Sequence, residues 1–270
     1  MGRPYAEVIG DPIAHSKSPL IHNFWLGKLG IDAEYRTCHV RPDELADYFT
    51  RRRGDAEWRG CNVTIPHKVL AMEHVRVRKG TRTMVGAINT VVRGSDSRLD
   101  GANTDIAGVV RPLNAVGVSG GSMAVVGAGG AARAAVAASM ILGIETLFVL
   151  NRTEAKAGNL LASLRPDGIA LPLGATIPAV DVLVNASVLG MSGQPSLDLS
   201  LDGIARDAVV FDMVYVPLET ELLAAAQQRR LRTIDGLQML VAQAAEAFEL
   251  FFGQPAPREH DAELRALLTA

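Results

Sequence analysis

SMAVVGAGGAARAAVAASMILGIETLFVLNRT, residues Ser122 to Thr153, opens with an apolar run, Met123 to Val126, of the length of one buried strand. Gly127, Ala128, Gly129 and Gly130 follow, then Ala131 and an alanine-rich run of helix formers, then a second apolar run from Thr146 to Leu150. Strand, glycine turn, helix and strand in that order form the βαβ unit that binds dinucleotides. Glycines serve there because the turn is tight and the backbone must approach a pyrophosphate closely. The helix N-terminus then offers free N–H groups and the positive end of its dipole to the phosphates. Gly130-Ala131-Ala132 replaces the last spacing of the usual fingerprint, so alanine serves where the helix packs on the sheet. A flexible turn alone explains a glycine triplet equally well; its place between strand and helix selects the dinucleotide reading.

The second apolar run ends at Asn151-Arg152-Thr153. Binders of NAD usually carry an acid here for the ribose 2′-hydroxyl, and an acid would repel a 2′-phosphate. Arg152, helped by Thr153 and Lys156, would hold that phosphate instead. A solvated arginine after a strand is the plain alternative. At this distance from a glycine loop the phosphate clamp is the expected role, and NADP the expected cofactor.

A chain of 270 residues forms one large domain or two modest ones, and either buries a proper core. Its net charge of −2 gives no sign of a polyanion-binding surface or a membrane-surface helix, so neither nucleic acid nor membrane is an expected partner. The basic clusters Arg51-Arg52-Arg53 and Arg76 to Arg82 read as solvated faces. Cys38 and Cys61 make no disulfide framework and have no metal-type spacing, and the histidines are scattered, so no metal site is expected. Both cysteines read as small core hydrophobes. Glu7 and Asp11 precede any long apolar segment, and no signal peptide is visible. The window Met123 to Ile144 is apolar enough to suggest a membrane span, but it holds Arg133 and the glycine turn. The expectation is a soluble, cytoplasmic chain.

Taken in order, Tyr5 to Ile9 reads as a strand, and Ser18 and Pro19 read as the N-cap and first residue of a helix with Leu20, Ile21, Phe24, Trp25 and Leu29 apolar. Ser16 is a second hydroxyl that capping does not explain; two hydroxyls at a helix mouth also suit a carboxylate or a polyol. Glu34 to Val40 alternates as a strand and Pro42 to Phe49 reads as a helix. Asn62, Thr64 and Lys68 cluster where a strand runs into a loop broken by Pro66, the best candidate for a site in this half. A helical segment to about Arg82 precedes a strand at Gly86 to Val92. Asn103 or Thr104 can cap the following helix, with Asp105 complementing its dipole. The domain boundary falls near Thr104. Beyond Thr153, the pattern gives a helix from Glu154 to Leu164 and strands at Ala170–Leu173, Val182–Asn185 and Val209–Asp212. A helix from Pro217 to Arg230 and a strand at Thr233-Ile234 follow. Asn185-Ala186-Ser187 and Asp212-Met213-Val214-Tyr215 stand at carboxyl ends of strands, where doubly wound sheets place ligands. The last long helix opens at Asp235-Gly236, with Gln243 off its apolar stripe.

Eight motifs in this order, SKSP (Ser16 to Pro19), NVTIPHK (Asn62 to Lys68), GAINT (Gly86 to Thr90), NTD (Asn103 to Asp105), GAGG (Gly127 to Gly130), NRT (Asn151 to Thr153), DMVY (Asp212 to Tyr215) and GLQMLVAQ (Gly236 to Gln243), make the chain resemble the shikimate dehydrogenase family over nearly its whole length. The resemblance implies an α/β fold of two domains. An N-terminal α/β substrate domain, residues 1–104, is completed by a C-terminal helix, 237–270, and residues 105–236 form a Rossmann NADP-binding domain. It implies reversible reduction of 3-dehydroshikimate to shikimate by NADPH in a cleft between the domains, and a monomer or homodimer. By matching positions it makes Lys68 and Asp105 the catalytic pair, and Ser16, Ser18, Thr64, Asn89, Tyr215 and Gln243 the substrate contacts. Met213 and Gly236 fall on the nicotinamide side, and Gly127, Ala128, Gly129, Gly130, Ala131, Asn151, Arg152 and Thr153 on the rest of the cofactor.

Three positions depart from the family's usual pattern: Ile106 where glycine is common, Gly80 near a frequent acid, and His67 where an aromatic is frequent. They leave the reaction type intact and leave quinate or an aminated shikimate analogue as alternative substrates. A catalytically silent NADP-binding regulator on the same fold is the alternative of another class, and the presence of both Lys68 and Asp105 argues against it.

Overall fold

The computed structural model describes residues 2–77, 85–94, 96 and 98–270. The chain divides into two compact units, Met1–Thr104 with Gln243–Ala270, and Asp105–Ala242. The second division lies inside the helix Gly236–Phe252, whereas the sequence reading put it at the start of that helix.

Six strands make the sheet of the Asp105–Ala242 unit: β7 (Ser122–Val126), β8 (Thr146–Asn151), β9 (Ile169–Pro172), β10 (Val182–Asn185), β11 (Val209–Asp212) and β12 (Arg232–Ile234). They run parallel in the order β9-β8-β7-β10-β11-β12, the doubly wound order with its switch point between β7 and β10. A parallel sheet is covered on both faces, so its central strands need continuous apolar runs. β10 and β11 are buried at every residue for that reason. The helix Gly130–Ile141 lies on the sheet through Ala132, Ala135 and Ala138, small side chains that share a core with Val125, Val184 and Phe211. Register aligns Leu150, Val126, Asn185 and Asp212 in one row, which brings the glycine turn, Asn151-Arg152-Thr153, Ser187 and Met213–Tyr215 to one sheet edge.

The sheet of the other unit is mixed: β2 (Glu34–His39), β1 (Tyr5–Gly10) and β3 (Trp58–Val63) are parallel, while β5 (Thr90–Arg93) runs antiparallel to β3 and to β6 (Leu99–Ala102). The two-residue β4 (Arg76–Val77) closes the far edge. Cys61 is buried in this core and Cys38 is half-buried beside it. The helix Gly236–Phe252 supplies Ala247 and Phe251 to a core with Ala6, Val8, Ile13 and Tyr35, and Phe248 meets Trp25 edge-on at 5.5 Å. A Cβ at Gly60 would lie 2.7 Å from the Phe251 ring, so this close approach requires glycine.

Several elements differ from the sequence reading. Arg52 is not a solvated cation. β1 is buried at all six residues, which places the Glu7 carboxylate at zero exposure, and a buried charge requires partners. Arg52 Nε donates to Glu7 Oε1 at 2.5 Å and Tyr48 Oη donates to the same oxygen at 2.7 Å. Ser18 is the first helical residue rather than the cap. Lys17 holds the cap position, and Ser16 Oγ accepts the Ser18 N–H at 3.3 Å. Proline is tolerated through the first turn, whose N–H groups have no intrahelical partner, so Pro19 does not mark the first residue. The Pro42–Phe49 helix is a short 3₁₀ turn, Pro42–Glu44, followed by Leu45–Gly54. The helix expected from Pro217 begins at Glu221, because Thr220 Oγ1 accepts the Leu223 N–H and also donates to the buried Asp212. The segment expected to be helical to Arg82 is a 3₁₀ turn, Leu70–Glu73, then β4; the remainder of it, with Gly80, lies outside the described residues. Among the described residues no helix is long and apolar enough to cross a membrane.

Candidate active site

In the N-terminal unit, side chains from five segments form one polar chain. Asn62, at the end of β3, accepts from Tyr35 Oη at 2.6 Å and donates to Thr90 Oγ1 at 3.0 Å. Thr90 donates to Asn89 Oδ1 at 3.0 Å, and the same oxygen accepts the Thr104 N–H at 2.7 Å. Asn89 Nδ2 donates to Thr104 Oγ1 at 2.9 Å and to Gln243 Oε1 at 3.5 Å. Thr104 Oγ1 also donates to Gln243 Oε1, at 3.4 Å. The Gln243 amide oxygen is thereby engaged within the protein. Buried amides and hydroxyls this completely engaged are fixed in orientation, which suits a surface built to read hydroxyl positions.

The Tyr35 end of this chain is clamped on every side. Its backbone N–H and C=O both bond to the Asn23 amide, at 2.9 and 2.7 Å, and the His22 ring stacks on it at 4.0 Å. Burial pushes the His22 imidazole down to about 3, so it is a neutral packing ring at physiological pH.

Thr64 and Lys68 lie on the loop that leaves β3, both half-buried. The loop is tied at each end: Thr64 N–H to Ile9 O at 3.0 Å, and Ile88 N–H to Lys68 O at 2.8 Å. His67 anchors its middle. The ring is fully buried, and its Nε2 bonds Val40 O at 2.7 Å. A carbonyl accepts only from an N–H, which fixes that nitrogen as protonated and makes His67 a strut rather than a catalyst.

The other unit carries the dinucleotide features. Gly127 has φ +113°, and a Cβ there would lie 2.9 Å from Ala186 O, so this turn admits only glycine. The helix Gly130–Ile141 begins with Gly129 at its cap, and Arg133 is the first residue to bond back, to Gly129 O at 3.0 Å. The three N–H groups before it face out of the helix mouth. At the end of β8, the Asn151 amide bonds Thr153 O at 2.8 Å and shapes the turn, while Arg152, Thr153 and Lys156 are exposed. Among the described residues, neither the Arg152 nor the Lys156 side chain has a protein partner.

Asp212 is a scaffold residue. It is fully buried, and burial pushes its carboxyl up while Thr220, the Val214 N–H and Asn185 pull it back. Those three bonds, 2.7, 3.0 and 2.9 Å, set the loop that presents Met213 and Tyr215. Tyr215 is half-buried, and burial pushes its phenol up. A Cβ at Gly236 would lie 2.5 Å from the carbonyl oxygens of Met213 and Val214, so this position also requires glycine. Asp105 opens the helix Asp105–Ala115 and is buried; Ile106 beside it is half-buried.

Residues 8–91 match the family model described as the shikimate dehydrogenase substrate binding domain, and residues 236–263 the one described as the shikimate 5′-dehydrogenase C-terminal domain. The chain is 54% identical, over 99% of its length and 97% of the relative's, to shikimate dehydrogenase (NADP(+)) of Sphingopyxis alaskensis. The chain belongs to the shikimate dehydrogenase family. Among solved structures, shikimate 5-dehydrogenase from Thermus thermophilus, in complex with NADP(H) and shikimate, is similar at a TM-score of 0.87 and 33% identity, covering 98% of this chain and 99% of that one. Quinate dehydrogenase from Corynebacterium glutamicum, in complex with NAD, is similar at 0.89 and 27%, with the same coverage. Within this family frame, Tyr35, Thr90, Asp212 and Thr220 stand behind the candidate contacts without appearing among them in the sequence reading. Tyr35 and Thr90 sit in ordinary strand positions, and only the fold brings them to Asn62.

Proposed function

We propose that this chain catalyses the reversible reduction of 3-dehydroshikimate to shikimate with NADPH, as a soluble cytoplasmic enzyme. The observation that carries this reading is the 54% identity, over nearly all of both chains, to a protein named shikimate dehydrogenase (NADP(+)). The site chemistry supports it.

Shikimate brings one carboxylate and three hydroxyls. Ser16 and Ser18 at a helix mouth, Thr64, Asn89, Tyr215 and Gln243 are hydroxyl and amide groups suited to both. We assign them as substrate contacts. The residues of the dinucleotide edge fit NADP: glycine where the Gly127 turn meets the Ala186 backbone, free N–H groups at Gly130 to Ala132, and two cations beyond β8 without partners among the described residues. Gly127 to Ala131 would cradle the pyrophosphate, and Arg152 with Asn151, Thr153 and Lys156 the adenosine phosphate. Met213 and Gly236 would face the nicotinamide.

When bound, the cofactor supplies or receives the hydride at the carbinol carbon. The chain must then manage a proton at the adjoining oxygen. We assign that proton to the Lys68 ammonium, which stabilises developing negative charge on the oxygen and gives up a proton to it. Asp105, in the first turn of the helix Asp105–Ala115, orients the ammonium and shares the proton traffic. Asp105→Asn keeps the size and removes the charge. It is expected to lower kcat by roughly 10–10²-fold and to alter the pH–rate profile. A profile identical to that of the unmodified enzyme would remove Asp105 from this role.

Substrate choice is tested by comparing kcat/KM for shikimate and quinate. The reading predicts a preference for shikimate. A preference for quinate would mean that Ile106, where the family commonly has glycine, has reshaped the pocket.

A further inference from the structure

Lys17 lies between the two serines assigned to the substrate, and its side chain leaves the site. Its Nζ donates to Leu268 O at 2.6 Å, a bond across 251 residues of sequence. Leu268 is in the last turn of the helix Asp261–Thr269, where carbonyls lack intrahelical partners and the dipole favours a cation. The backbone of Lys17 is meanwhile the cap residue of the serine helix, its carbonyl accepting the Ile21 N–H at 3.2 Å. One residue therefore joins the serine mouth to the last helix.

That helix packs on the serine helix. Leu264 and Leu268 are buried, His260 meets Phe24 edge-on at 6.5 Å, and Glu263 pairs with Lys28 at 2.7 Å. Lys28 stands in the last turn of the serine helix and Lys17 at its start, so the two helices run antiparallel with a lysine pinned at each end. The Lys28 pair is exposed and contributes little. The Lys17 bond is half-buried and charge-assisted, the stronger class.

We propose that Lys17 is a positioning residue, and that the helix Asp261–Thr269 acts through it to fix the Ser16 and Ser18 hydroxyls for the substrate carboxylate or hydroxyls. This rests on the assignment of those serines as substrate contacts. Without the Leu268 anchor the three residues at the cap regain backbone freedom, and ordering them is charged against substrate binding. Turnover of bound substrate is untouched, because neither the proton donor nor the cofactor edge moves.

The test combines kinetics with amide hydrogen exchange on the full chain. Lys17→Met is expected to raise KM for shikimate by about five- to tenfold, with kcat and KM for NADP within about twofold, and Lys17→Arg to restore most of the loss. Leu264→Ala, which loosens the helix without touching the site, is expected to raise KM in the same sense. The double variant should be no worse than Lys17→Met alone, since both act on one link. If Lys17 acts directly on the substrate, Leu264→Ala leaves KM unchanged or the two effects multiply, and either result overturns the proposal. Exchange reads the link without substrate: Lys17→Met should speed exchange at Ser16 to Ser18, and unchanged exchange there also overturns it. Absence of shikimate turnover in the unmodified enzyme would count against the function instead, leaving the exchange result to decide the link.

Discussion

Lys68→Ala is expected to lower kcat for shikimate oxidation by roughly 10²–10⁴-fold, the range of a lost general acid or base, with KM for shikimate changed only a few fold. The split follows from the division of labour at the site. The polar chain through Asn62, Thr90, Asn89, Thr104 and Gln243 is held by bonds among its own members and by Tyr35, none of which requires the lysine side chain. The loop is likewise tied through backbone atoms and through His67 to Val40. Alanine therefore removes the ammonium and leaves these bonds in place. The missing group acts most strongly where negative charge develops on oxygen, in the transition state, so the loss falls on kcat. Steady-state kinetics with both parameters resolved decides it. Unchanged turnover would remove Lys68 from the chemistry, and a large rise in KM with kcat preserved would make it a binding residue.

The second large effect is expected at Arg152. Replacing it with alanine should raise KM for NADP by roughly 10–10²-fold, the worth of a charge-assisted bond of about 1.5–3 kcal/mol. KM for NAD should stay the same or fall, since that cofactor has no 2′-phosphate to lose. Arg152 is exposed and has no partner among the described residues, so stability should change by no more than about 0.5 kcal/mol. Loss of affinity for both cofactors to the same degree would mean that Arg152 holds something other than that phosphate. Lys156 shares the position, and a residual preference for NADP in the variant is expected from it.

The parts legible in the sequence are those with local causes. β10 and β11 fall at Val182–Asn185 and Val209–Asp212 as read, because a strand buried on both faces must be a continuous apolar run ended by a polar residue. The glycine turn was legible because a φ of +113° against the Ala186 carbonyl leaves no other residue. What escaped has long-range causes. Glu7 is the one charged residue in the strand Tyr5 to Ile9, and nothing local shows that Arg52, 45 residues away, folds over it. The helix after Pro217 starts late because Thr220 is already committed to Asp212. At the site, residue types and order were legible, and the resemblance gave them roles. The bonding that orients them was not: Asn89 reaches Gln243 across 154 residues, and only the helix Gly236–Phe252 brings Gln243 there. Lys17, between the two serines, carries no local sign of its role, because its partner is a backbone carbonyl, which no side-chain pattern encodes.

Hydride exchange between shikimate and NADP is read directly by the initial rate of NADP reduction by shikimate, with NAD as the alternative cofactor. Rapid reduction of NADP and little of NAD is the expected result. No turnover of shikimate with either cofactor, in a protein that binds NADPH, would contradict it and leave a dinucleotide-binding regulator as the better description.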